Sequence, residues 1–276
     1  MREILRVGTS AGGARAKALI ALDPQTEEVR SGQLPSDSGF QYWILKFDGV
    51  EDKTRDLGKS RGYGTVEFVY SQMARRAGIE MAECRLLEEG GRRHFMTRRF
   101  DRDGNGNKLH MQSLAALAHL DFNQPGANSY EQAFQVIRRL ALPQWAMVEQ
   151  YRRMVFNIAG RNQDDHVKNI SFLMDRGGHW SLSPAYDVVY AYNPQGRQTH
   201  RHQMSVNGKT DGFERGDLDA VARLAGLKRG EAEQIIGEVT EAIASWSRLA
   251  EEAGLEKSRI DRIAATHRLD LGRQAS

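Results

Sequence analysis

The chain has 276 residues, 40% apolar and 27% charged, an ordinary balance for a globular protein with a sizeable core. Its 39 basic and 36 acidic side chains leave a formal net charge of +3, with a pI near 9.0, too little to indicate nucleic acid by itself. A single cysteine, Cys84, excludes an intrachain disulfide and a Cys-based zinc site and suits a reducing cytoplasm. Met1-Arg2-Glu3-Ile4-Leu5-Arg6 lacks the apolar core of a signal peptide, and no run approaches the roughly 18 apolar residues a membrane span needs.

In chain order, short apolar runs separated by turn clusters come first. Residues 4–7, 18–22, 42–47, 84–87 and 94–99 read as strands. One helix interrupts them, with Val66, Phe68, Val69, Met73 and Ala77 at helical spacing and Gly78 as its C-terminal stop. The polar, Gly-rich stretch 48–64 ahead of it reads as a loop. Beyond residue 108 the pattern turns helical: 112–119, 130–140, 143–160, 218–225 and 229–253 carry apolar residues three to four apart, and Pro143 suits a helix N-terminus. Between those helices, 170–174 and 179–182 read as a β-hairpin turned at Arg176-Gly177-Gly178. The plan is α+β, with a β-rich lobe over 1–108 and a mostly helical lobe over 109–276 that contains a small hairpin.

The segment Arg161-Asn162-Gln163-Asp164-Asp165-His166-Val167-Lys168-Asn169 follows an amphipathic helix and precedes the hairpin, so it is a loop held between rigid elements. Phosphoryl transfer needs a carboxylate near the attacking hydroxyl and an oxygen ligand for magnesium close by. In protein kinases the catalytic-loop Asp and a metal-binding Asn sit five residues apart. Asp164 and Asn169 have that spacing, and Asp187, just beyond the hairpin, has the place of a second metal carboxylate. Lys168 is placed to meet a phosphate oxygen and His166 to brace the loop. Each piece alone also fits a solvated turn; the order of helix, Asp-x4-Asn, hairpin and Asp separates the readings.

Two further parts lie upstream. Gly8-Thr9-Ser10-Ala11-Gly12-Gly13 falls between two strand-like runs and reads either as a loop whose N–H groups approach phosphates or as a plain hairpin turn. Lys46 closes an apolar strand and is costly to bury without a partner. Glu67, opening the next helix, is a candidate partner, as the strand Lys and helix Glu pair in kinases. The alternatives are an edge-strand lysine and a glutamate favoured by the helix macrodipole.

Three other readings fit parts of the sequence. Gly8-Thr9-Ser10-Ala11-Gly12 matches the nucleophile elbow of serine hydrolases, but the seven preceding residues supply neither the sheet nor the oxyanion donor that motif needs. Asp101-x-Asp103-x-Asn105-Gly106 imitates a calcium loop, yet its twelfth position is Gln112, which gives no bidentate carboxylate. An inactive binding shell is disfavoured because every catalytic residue type is present.

The strings Ser10-Ala11-Gly12-Gly13-Ala14-Arg15-Ala16-Lys17, Thr97-Arg98-Arg99-Phe100-Asp101-Arg102, Asp164-Asp165-His166-Val167-Lys168-Asn169 and Pro184-Ala185-Tyr186-Asp187 resemble the HipA family, serine/threonine kinase toxins of bacterial toxin–antitoxin modules. The resemblance runs from about residue 7 to 210 and implies a two-lobed protein-kinase-like fold using ATP and Mg2+. It implies that Asp164 is the catalytic base, assisted by Lys168 and His166, and that Asn169 and Asp187 bind metal. Lys46, Gly12, Gly13, Lys17, Glu67, Arg98 and Phe100 would serve ATP, with 98–100 as the adenine hinge. Ser10 would be the autophosphorylation off-switch, with Thr9 adjacent. The implied partners are a helix-turn-helix antitoxin, which would carry DNA contact, and a protein substrate such as an aminoacyl-tRNA synthetase. A small-molecule kinase of related fold is the alternative. Arg15-Ala16 and Arg98 depart from the family pattern. The chain also starts one strand before the Gly-rich loop, where family members carry a long N-terminal segment, so a separate small protein would supply it or the chain is truncated.

Overall fold

Alternating apolar side chains build the first sheet. Ala18, Ile20 and Leu22 of β1 (Lys17–Leu22), Trp43 and Leu45 of β3 (Gln41–Lys46) with the following Phe47, and Met96 form one buried cluster, because residues two apart in a strand share a face. Between them β2 (Val29–Ser31) pairs with β1 as a short edge. Helix α1 (Tyr63–Arg76) follows, then β4 (Cys84–Glu89) and β5 (Arg92–Arg98), and the strand order is β2-β1-β3-β5-β4, all antiparallel. The opposite face of the sheet carries Lys46, which stands directly across from Lys17 on one side and Phe95 on the other. This computed structural model describes residues 16–33, 39–48, 62–89, 91–102 and 106–272. The expected strand over 4–7 and the Gly-rich loop with Ser10, Gly12 and Gly13 lie outside them.

Two compact units form. One comprises the described residues up to Val69 with Ala82–Leu109; the other comprises Tyr70–Met81 and His110 onward. The second unit begins with β6 (His110–Ser113) and α2 (Leu114–Leu117), which corrects the helix expected over 112–119. The first residues of that stretch pair with β8 (Ser171–Met174), and only one turn of helix follows, capped by Ser113 Oγ accepting from the Ala116 N–H at 3.3 Å. Next come β7 (Asn128–Ser129), α3 (Tyr130–Arg139) and α4 (Gln144–Ala159). A capping box starts α3, with Ser129 N–H donating to Gln132 Oε1 at 2.8 Å. Pro143 is the N-cap of α4, one residue outside it. Eleven of the sixteen α4 residues are buried, which makes it the central helix of this unit rather than a surface one.

The expected hairpin is present as β8 and β9 (Trp180–Leu182), turned over 175–179, and β6 completes a three-stranded sheet in the order β6-β8-β9. A two-residue parallel pairing joins β10 (Met204–Ser205) to β7. Helices α5 (Arg215–Leu224), α6 (Glu231–Ala244), α7 (Trp246–Glu252) and α8 (Lys257–Ala264) close the unit. The single helix expected over 229–253 is therefore two, broken at Ser245, whose hydroxyl turns back to bond the Ala242 carbonyl at 2.6 Å. No helix among the described residues is long and apolar enough to cross a membrane.

The chain after α8 docks on the end of α4. Tyr70 Oη donates to the Gly160 carbonyl at 2.7 Å, so its oxygen accepts from His267 Nε2–H at 2.8 Å. Burial, and then the charge of Arg161, lower His267 from its ordinary 6.5 to about 4. A depressed histidine stabilises the fold above about 6.5, and that contribution is lost as pH falls towards and through about 4. The loss should be on the order of 3 kcal/mol. Urea unfolding measured across that window should show it, and His267→Gln should flatten the dependence.

Candidate active site

In the first unit Lys46 Nζ is ion-paired with Glu67 Oε1, and both residues are buried, at 8% and 2% exposure. Burying two charges generally gains little stability over an apolar pair. The Lys46 ammonium also lies 5.5 Å from the centre of the Phe95 ring. Helix α1 starts at Tyr63, which places Glu67 in its second turn and removes the first-turn macrodipole explanation. Asp48, unmarked by any sequence motif, fixes the start of that helix: its carboxylate accepts from the Gly62 N–H at 2.5 Å and the Tyr63 N–H at 3.3 Å. Gly64 allows the close approach, because a Cβ there would stand 2.5 Å from the Arg93 carbonyl oxygen.

Lys17, opposite Lys46 in the register, puts a second cation on the same face, and like charges so placed repel unless an anion joins them. Arg98 ends β5 with its N–H on the Glu83 carbonyl at 2.8 Å, its guanidinium pairs with Glu83 at 3.3 Å, and Phe100 follows in the turn. In the calcium-like pattern Asp103 and Asn105 lie outside the described residues, and its first position is already paired. Asp101 takes Arg99 through both oxygens, at 2.8 and 2.6 Å, and Arg102 at 2.8 Å. Burial pushes this carboxyl up, but the two guanidiniums outweigh it and hold it below the usual range.

In the second unit α4 ends at Gly160, and Arg161, at φ 55°, turns the chain into the loop. Asn169 Nδ2 donates to the Asp164 carbonyl at 2.8 Å, closing the Asp-x4-Asn segment and leaving the amide oxygen as its acceptor end. The Asp164 side chain is half exposed, and His166 Nε2 stands 3.9 Å from its Oδ1. Lys168 is exposed with Nζ 3.1 Å from the centre of the Phe122 ring. Asp187 has φ 53°, a left-handed conformation that non-glycine residues seldom adopt and that collects at functional sites. The turn leading to it is tied down by the Ala185 N–H on the Glu80 carbonyl at 2.7 Å. Among the sequence-marked residues, the structure thus brings together Lys46 with Glu67 in one unit and Asp164 with His166 and Asn169 in the other. Asn169 Oδ1 and the Asp187 carboxylate are hard oxygen donors of the kind magnesium takes beside substrate phosphates. No cluster of three or more His, Cys, Asp or Glu ligands stands ready among the described residues, and a magnesium site completed by nucleotide needs none.

Asp165, next to the candidate base, has a different role. It is 3% exposed and accepts from Tyr130 Oη, His202 Nδ1 and the Gln203 N–H, each at 2.8 Å. Tyr130, whose hydroxyl is pushed well above 10 by burial and then by Asp165, accepts in turn from Asn157 Nδ2 at 2.9 Å. These partners tie the loop to α3, to α4 and to the chain entering β10. Asp165→Ala strands three buried donors and should cost about 3 kcal/mol or more of stability. Denaturant unfolding of that variant beside Asp165→Asn, which keeps an acceptor, measures it.

The β-rich first unit and the helical second unit with its loop–hairpin–Asp order define an α+β, protein-kinase-like architecture. Residues 9–247 match the family described as the HipA-like C-terminal domain, and the chain belongs to that family. The fold is that of HipA in the Shewanella oneidensis MR-1 toxin–antitoxin complex of HipA, HipB and operator DNA, with a TM-score of 0.68 at 18% identity over 93% of this chain and 62% of that one. Among curated proteins, the chain is 26% identical over 190 residues to "Putative kinase Y4mE" of Sinorhizobium fredii, covering 65% of this chain and 42% of that protein. It is 26% identical over 136 residues to a "Putative kinase" of Haemophilus influenzae, covering 45% of this chain and 40% of that protein. The chain therefore spans less than half the length of these two relatives.

Proposed function

We propose that this chain is an ATP-dependent protein serine/threonine kinase of the HipA toxin type. The observation that carries the reading is the closed Asp164–Asn169 loop followed, after the β8–β9 hairpin, by Asp187 in its left-handed conformation. That is the order of base and metal ligands that phosphoryl transfer uses. Asp164 takes the proton of the substrate hydroxyl as its oxygen forms the new bond to the γ-phosphorus, and the bond to the β-phosphate oxygen breaks to release ADP. Lys46, oriented by Glu67, holds phosphate oxygens; Lys17, Gly12 and Gly13 line the same phosphates, and 98–100 meets adenine. Asn169 and Asp187 hold Mg2+, which neutralises charge on the phosphates when bound. Lys168 and His166 assist from the loop.

The substrate is a protein, such as an aminoacyl-tRNA synthetase, whose phosphorylation inhibits translation in the cytoplasm. Self-phosphorylation of Ser10 switches the enzyme off by adding a charge of about −1.5 to −2 beside the nucleotide phosphates. A HipB-type antitoxin is the partner, with DNA reached through it. Calorimetry with ATP tests the metal assignment. Binding should require magnesium, and Asp187→Asn should weaken it at least tenfold, in line with the loss of a metal-site partner. Unchanged magnesium-dependent binding in that variant contradicts the assignment.

A further inference from the structure

A small cavity of about 30 Å³ lies inside the second unit, under the loop that carries Asp164. Four residues lining it, Gln150, Arg153, Asn162 and His166, each carry a buried polar atom with no protein partner: Gln150 Oε1, Arg153 Nη2, Asn162 Oδ1 and His166 Nδ1. Buried polar groups left unpaired cost on the order of 1–3 kcal/mol each, so four around one space call for an occupant.

The hydrogen-bond chain from Asp165 fixes what that occupant is. A carboxylate only accepts, so Tyr130 Oη must donate to it. The Tyr130 oxygen then accepts from Asn157 Nδ2 at 2.9 Å, which leaves Asn157 Oδ1 to accept from Asn162 Nδ2 at 2.9 Å. Asn162 Oδ1 is thereby set as an acceptor, with no freedom to exchange its oxygen and nitrogen. Arg153, whose Nε is bound to Glu149 Oε1 at 2.7 Å, offers only donors. An anion would meet the oxygens of Asn162 and Gln150, and a cation would meet the guanidinium. Water both donates and accepts, and at about 10–15 Å³ per molecule the cavity has room for two or three.

We propose that ordered water in this cavity joins Arg153, Gln150 and Asn162 to His166 and so sets the ring that stands beside Asp164. Gln150 and Arg153, on the central helix, are then positioning residues for the candidate base. The water site stands on the cavity and its polar atoms alone; its effect on turnover rests on the kinase reading.

A crystal structure of the full chain at a resolution showing ordered solvent tests the first part. Water bonded to Arg153 Nη2 and Asn162 Oδ1 is expected. A dry cavity, or one closed by side chains that pair these atoms directly, overturns the proposal. Gln150→Met, similar in length but without the acceptor, tests the second part. It should lower kcat about tenfold with KM for ATP unchanged, the effect of a lost outer-shell contact. An unchanged kcat overturns the positioning role. A wild-type chain without ATP turnover would count against the kinase reading, while the crystallographic result still decides the water site.

Discussion

Asp164→Asn should leave a folded, nucleotide-binding protein whose phosphoryl transfer is about 10²–10⁴-fold slower. The reason is where the residue's bonds lie. The Asp164 main chain accepts the Asn169 amide, and the loop is anchored by the buried carboxylate of Asp165. The Asp164 side chain itself is half exposed. Replacing its acceptor oxygen by an amide therefore removes the proton acceptor while keeping shape, so melting temperature and ATP affinity should hold. Transfer within a few-fold of the parent would remove Asp164 from the role of base.

Lys46→Ala should also lower transfer, by about 10²–10³-fold, the usual cost of losing a preorganised charge on the reacting group. The same variant should also lose stability. Glu67 is 2% exposed, and Lys46→Ala takes the cation out of a buried ion pair, which costs about 3–5 kcal/mol. The informative comparison is therefore Lys46→Met combined with Glu67→Gln, which removes both charges at similar volume. That double variant should unfold near the parent's denaturant midpoint and still lack transfer. Recovery of transfer in the stable double variant would show that Lys46 matters only to folding. Growth arrest on expression, if phosphorylation causes it, should disappear in both.

The candidate site was legible where its parts are close in sequence or tied to a strong periodic element. Asp164, Asn169 and the hairpin before Asp187 lie within one stretch, and Lys46 ends an apolar strand. The supports of the site were not legible, because their partners are distant. Asp165 meets Tyr130 35 residues away and His202 37 residues away, and Asp48 reaches over the chain to cap α1. None of these leaves a periodic or spacing signal. Two- and three-residue strands such as β2, β7 and β10 are too short for alternation to show. Residues 112–119 failed for a related reason: the helical spacing there is local, whereas pairing of β6 with β8 is decided by a strand far along the chain. The break at Ser245 depends on one hydroxyl turning to its own helix, which apolar periodicity does not register.

Protein phosphorylation by this chain can be read out in a single labelling experiment. Purified chain is incubated with γ-labelled ATP and magnesium in cell lysate, alongside Asp164→Asn, and labelled proteins are separated and identified by mass spectrometry. A discrete labelled protein carrying phosphoserine or phosphothreonine, and self-labelling at Ser10, are expected, both absent with Asp164→Asn. Label found only on a small molecule, or equal labelling by the parent and the variant, would contradict it.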